Sequence, residues 1–207
     1  MIAALVGEGS SDQALLPILR WVLSTMVESD IRVVWVDTSR LNTGPKLADK
    51  LRGALVVQPC DMMFVHRDAD RQPPEWRYAE VRGAVAGHPH VAVVPIRMTE
   101  AWLLFDEGAI RAAAGRVSAS DALGLPALHE LESIADPKRL LHDVLRRAHG
   151  ATGRRARRFA PAAATHRVAG LVIDWSPLRE LPAFRRLEAD TRETLAGLGV
   201  PLVAADG

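Results

Sequence analysis

Apolar positions along the first hundred residues fall into short β-branched runs separated by longer stretches of helical periodicity. Ile2–Val6 is a continuous apolar run closed by Gly7-Glu8-Gly9, the pattern of a strand buried on both faces. Ser10-Ser11-Asp12-Gln13 follows, and the Ser10/Gln13 spacing is that of a capping box, so a helix is predicted to about Val27 with a kink at Pro17. Ile31–Val36 reads as a second strand and Pro45–Leu55 as a second helix. Met62–His66 is a third strand, running into Arg67-Asp68-Ala69-Asp70. Pro74 suits a first helical position, with a helix over Glu75–Val85. Val91–Pro95 is a fourth strand, after which Thr99 is placed to cap a helix containing Ala101–Phe105.

Strand and helix alternating at this spacing predict an α/β fold with a four-stranded, mainly parallel sheet and right-handed crossovers. Beyond residue 106 the strand pattern fades, and Ala122–Ile134, Pro137–Ala148 and Pro182–Leu198 read as helical. The expected organisation is an α/β domain over 1–110 and a mainly helical extension over 111–207 packed on it.

Composition narrows the field. The single cysteine, Cys60, excludes an intrachain disulfide and a cysteine-based zinc site, and suits packing beside a buried strand. The longest stretch without Asp, Glu, Lys or Arg is the 14 residues Gly83–Ile96, short of the ~20 apolar residues of a membrane-spanning helix. The amino terminus has no basic stretch before its apolar run, so a soluble cytoplasmic protein is expected. Net charge is only +1, but its distribution is uneven: residues 1–110 carry 11 basic and 14 acidic side chains, whereas 138–167 carry nine basic residues against Asp143 alone. Lys138 and the cluster Arg154, Arg155, Arg157 and Arg158 are therefore candidates for nucleic-acid contact.

In an open parallel sheet, ligands bind beyond the carboxyl ends of the strands. Glu8 follows the first predicted strand, Asp68 and Asp70 the third, and Glu100 lies five residues past the fourth, with Asp12 one turn into the first helix. Neighbouring strands are about 4.8 Å apart, so these acids converge if strands one and three are adjacent. Two carboxylates 4 Å apart repel by roughly 4 kcal/mol at an effective dielectric near 20. Protonation, arginine partners (Arg67, Arg71 or Arg97) or a bound cation must offset that cost. An all-oxygen ligand set favours Mg²⁺ or Mn²⁺ over zinc.

A Glu after the first strand and an Asp-x-Asp after the third resembles the Toprim domain of topoisomerases, bacterial primases and OLD-type nucleases. Val6-Gly7-Glu8-Gly9-Ser10-Ser11-Asp12 is similar to the OLD-type version, in which an Asp follows the Glu by four residues. Val65–Asp70 and Met98–Leu104 resemble small bacterial Toprim-like proteins of the RloB-like and related domain-of-unknown-function families, many encoded beside ATPases in phage-defence loci. The resemblance covers about residues 2–106 and implies a Rossmannoid sheet with a Mg²⁺- or Mn²⁺-dependent nuclease site. Carried over by position, it implies Glu8, Asp68 and Asp70 as metal-binding acids, Asp12 as the additional OLD-type acid, and Glu100 as the acid of a Glu-Ala-Trp-Leu-Leu motif. A catalytic set of Glu8, Asp68, Asp70 and Glu100, a nucleic-acid substrate, an ATPase partner and a homodimer follow as expectations. In this reading the Arg154–Arg158 cluster steadies the departing oxygen.

The only tyrosine, Tyr78, falls in a predicted helix, which argues against topoisomerase strand passage, and the chain carries no zinc-binding module of a primase. Gly7-x-Gly9 lacks the third glycine of a dinucleotide site, no P-loop is present, and His66-Arg67-Asp68 spells a kinase triplet without its glycine-rich loop. His88 and His90 flank Pro89 in a turn, and Trp102 is expected in the core. The competing reading is a Toprim-like module that binds a metal or a partner without catalysis; a phosphoryl-transfer reaction on nucleotides is a third.

Overall fold

The computed structural model describes residues 1–7, 9–69 and 72–204. Its centre is a four-stranded, all-parallel sheet of β1 (Ile2–Gly7), β2 (Arg32–Asp37), β3 (Met62–His66) and β4 (His90–Val93), in the order β2-β1-β3-β4. Strands one and three are thus adjacent, with Val6 level with Val65. All five residues of β3 are buried, as its unbroken apolar pattern requires.

Alternate strand residues serve two separate cores. Ala3, Leu5, Val33, Phe64 and Val93 face α1 (Leu15–Ser24) and the carboxy-terminal helices. Ala4, Val6, Val36, Met63 and Val65 face α2 (Leu47–Val57) and α3 (Pro74–Ala84). Pro74 occupies the first turn of α3 as expected. The chain therefore leaves β1 toward β2 on one side and returns through β3 toward β4 on the other. The gap between the ends of β1 and β3 is the topological switch point, where open α/β sheets bind ligands.

Three local expectations change. The first helix is capped at Gly9, not Ser10, and opens as a 3-10 helix over Ser10–Ala14 before α1. Pro17 is the third residue of α1, in the first turn where a missing N–H costs least. Thr99 is the first residue of a 3-10 helix, Thr99–Leu103, rather than its cap.

Residues beyond 106 form α4 (Glu107–Ala113), α5 (Pro137–His149), α6 (Gly153–Arg158), α7 (Pro161–Leu171) and α8 (Pro182–Gly197). The helix expected over Ala122–Ile134 contracts to a 3-10 helix at Leu128–Ser133. These helices complete the core on the α1 side of the sheet, with Trp102 edge-on to Phe184 at 5.5 Å. Truncating either fully buried ring would cost about 3–5 kcal/mol. Thr194 of α8 donates to the His90 carbonyl of edge strand β4 at 3.2 Å. Among the described residues, no helix is long and apolar enough to cross a membrane.

Candidate functional site

The carboxyl ends of β1 and β3 bring polar side chains into the interior. Gly7 ends β1, and a Cβ there would lie 2.5 Å from Asp12 Oδ2 and 2.6 Å from the Trp35 ring, so only glycine lets Asp12 approach. Asp12 Oδ2 accepts from the Gly9 backbone N–H at 3.3 Å and from His66 Nδ1 at 3.2 Å, and Ser11 donates to Oδ1. His66 ends β3, and its Nε2 lies 3.1 Å from Asp68 Oδ1 and 3.2 Å from Thr99 Oγ1. The imidazole is 5% exposed and bridges the two aspartates.

Burial on its own would lower the His66 pKa, but the hydrogen bonds and charges of Asp12 and Asp68 outweigh it, raising the value from 6.5 to about 9. His66 is therefore an imidazolium at neutral pH, donating from both ring nitrogens. Glu100, 7% exposed, faces Lys138 at 3.6 Å. Asp12, Asp68, Glu100 and Lys138 line one cavity of about 40 Å³, together with Thr165 from α7. A water needs about 10–15 Å³ of such space, so the cavity has room for a small cation and a water or two.

The loop carrying Asp68 is braced from outside. Arg77 of α3 donates to the Asp68 carbonyl at 3.1 Å, while Glu80 accepts from both Arg67 and Arg77. Arg67 thus pairs with Glu80.

The structure brings Asp12, Asp68, Glu100 and Lys138 together, while Glu8 and Asp70 lie outside the described residues. Two cations, His66 and Lys138, stand against the three described carboxylates. The cost expected to fall to protonation, arginine partners or a bound cation is to that extent offset by an imidazolium and a lysine. Among the described residues, no three His, Cys, Asp or Glu side chains form a ready metal cage. The donor set is nonetheless hard oxygen, as Mg²⁺ or Mn²⁺ requires. His66 engages only Oδ1 of Asp68 and Lys138 faces Oε1 of Glu100, leaving Asp68 Oδ2 and Glu100 Oε2 outside those pairs.

Sequence reasoning missed His66 and Thr165. His66 had a signal: it stands two residues before Asp68 at a strand end, so both side chains leave on one face.

The arginine cluster sits elsewhere. Arg154, Arg155, Arg157 and Arg158 are exposed on α6, and Phe159 stacks on His149 at the end of α5 with ring centroids 4.3 Å apart. At 1.5 Å per residue, Lys138 and His149 are about 17 Å apart along α5. Of the predicted nucleic-acid contacts, Lys138 is therefore the one that the structure sets beside the acids, and the end of α6 is held at the far end of α5. No protein-family model, curated protein or solved structure matches the chain.

Proposed function

We propose that this protein is a cytoplasmic, Mg²⁺- or Mn²⁺-dependent nuclease of Toprim type, acting on DNA or RNA at the acid-lined cavity. The observation that carries the reading is the convergence of Asp12, Asp68 and Glu100 on one small cavity at the switch point of the sheet. The resemblance adds Glu8 and Asp70 to the ligand set and suggests a phage-defence effector working with an ATPase partner.

Asp68 and Glu100, with Asp12, are the described residues that would hold the cation. When bound, the ion supplies Lewis acidity toward water and neutralises charge on the scissile phosphate. His66 fixes Asp12 and Asp68 in one orientation by donating to both. Thr99 and the Arg77–Asp68 backbone bond hold that arrangement from two sides. Lys138 sets a positive charge at the cavity for a phosphate oxygen. The supported reaction is hydrolysis: a water oxygen bonds to phosphorus, one P–O bond breaks, and the departing sugar oxygen takes up a proton.

The test is nicking of plasmid DNA and cleavage of RNA, tRNA included, with Mg²⁺ or Mn²⁺ against EDTA. Cleavage should require the metal and fall at least about 100-fold in Asp68→Asn, the scale of losing one electrostatic contact to the transition state. Intact substrates under every metal condition, with and without a co-purified ATPase, would sink the proposal, as would equal cleavage by the variant. A second reading, a module that binds a metal or a partner without catalysis, is favoured by His66 and Lys138, which already offset much of the acid charge. Calorimetric binding with every substrate left intact is its expected result.

A further inference from the structure

Helix α5 carries a second polar surface that leads away from the cavity. Lys138, Arg139, His142 and Arg146, with Asp136 as the one acid, line a shallow cavity of about 290 Å³ on its outer face. Lys138, His142 and His149 recur at helical spacing along one edge, and Phe159 stacked on His149 joins that edge to α6. From residue 138 to 158 the chain has eight Lys and Arg against Asp143 alone. Arg147 is turned inward to the Leu123 carbonyl, and Arg146 shares Asp143 with Arg139. The four arginines of α6 make no ion pair or side-chain hydrogen bond among the described residues. Burial first, and then the neighbouring Arg146, hold the His142 imidazole below its ordinary value.

We infer that the outer face of α5 and the arginines of α6 form a track for the phosphate backbone of a nucleic-acid duplex, running one way from the acid-lined cavity. The inference rests on the proposed nuclease reading for what happens at the cavity, but the track itself requires only the basic face. Charge complementarity selects a polyanion. Between residues 136 and 160 the only Phe, Tyr or Trp is Phe159, and its ring is taken by His149. Single-strand surfaces rely on aromatic rings for base stacking, so this face suits phosphates held at regular spacing by a duplex. A membrane surface is disfavoured because α6 (GRRARR) has no apolar side chain larger than alanine. At 3.4 Å per base pair, the ~17 Å between Lys138 and His149 spans about five base pairs. The duplex should therefore be gripped on one side of the scissile bond, from the cavity outward over at least about five base pairs, without base-sequence preference.

The experiment measures binding in EDTA, where metal-dependent cleavage is silent, using a labelled 20-base-pair duplex, the matching single strand and phosphatidylserine vesicles. The wild type should bind the duplex at least about 10-fold tighter than the single strand. The R154A/R155A/R157A/R158A variant should bind the duplex at least about 30-fold more weakly, and the slope of log affinity against log salt should shrink by about 3. No residue of α6 is buried, so this variant keeps the core, and the four-lysine counterpart should retain the salt slope. Equal or tighter single-strand binding, equal binding to vesicles, or an unchanged slope in the alanine variant overturns the track. Duplex binding as expected without cleavage in Mg²⁺ removes the nuclease reading alone. Cleavage by an alanine variant that binds like the wild type removes the track alone.

Discussion

The two ends of α5 treat charge in opposite ways. At its amino-terminal end, Glu100 is buried against Lys138, beside an Asp12–His66–Asp68 bridge whose imidazole is almost completely enclosed. At its carboxy-terminal end, four arginines stand in solvent on a short helix with no buried residue. The difference is one of solvation. A charge taken out of water needs a counter-charge inside the protein, because desolvation costs several kcal/mol per ion. A charge left in water needs none, and so remains available to an outside polyanion. The two charge clusters are thus a self-compensated interior on one side and an uncompensated surface on the other.

The sharpest way to break this comparison is to remove one charge from each end. His66→Ala leaves Asp12 buried without its imidazolium and should cost about 3–5 kcal/mol in urea unfolding. Arg154→Ala, at the exposed end, should change stability by less than about 0.5 kcal/mol. Similar costs at the two ends would erase the distinction.

A pH series sharpens it next. His66 has a folded pKa of about 9 against an ordinary 6.5, so the native state holds a proton that the unfolded chain releases between those values. Its stabilisation is complete below about pH 6.5 and is lost as pH rises through 9, by about 3 kcal/mol at most. The urea midpoint should therefore drop between pH 6 and 9.5 in the wild type, and that step should vanish in His66→Gln. A wild-type midpoint that stays level across this range would show that His66 is not the internal counter-ion.

Gly7→Ala tests the approach of Asp12 to the strand end. The added methyl meets Asp12 Oδ2 and the Trp35 ring well inside contact distance, so a loss of about 1–3 kcal/mol is expected in the same assay. The smallest effect belongs to Arg146→Ala, whose half-exposed pair with Asp143 should be worth less than about 0.5 kcal/mol.

The sheet was legible in the sequence because four apolar runs at α/β spacing have few other ways to be buried. The placement of Asp12, Asp68 and Glu100 at strand ends followed from the same pattern. His66 was not recognised, because its place two residues before Asp68 shows a role only once the register also sets it against Asp12. Thr99 read as a cap because its hydroxyl's partner, His66, lies 33 residues away in the chain. Helices α4 and α7 went unread, and with α7 the contribution of Thr165, because short alanine-rich segments show little apolar periodicity. The arginine cluster was visible as charge, but its distance from the acids became clear only with the stacking of Phe159 on His149.

Everything proposed for the cavity depends on whether its carboxylates accept a divalent ion in the presence of His66 and Lys138. A crystal soaked in Mn²⁺, read by anomalous scattering, measures this directly. The account predicts a peak in the cavity lined by Asp12, Asp68 and Glu100, about 2.0–2.3 Å from an Asp68 oxygen, and its disappearance in Asp68→Asn. A soaked crystal with no anomalous peak there, and His66 still bridging Asp12 and Asp68, would contradict it.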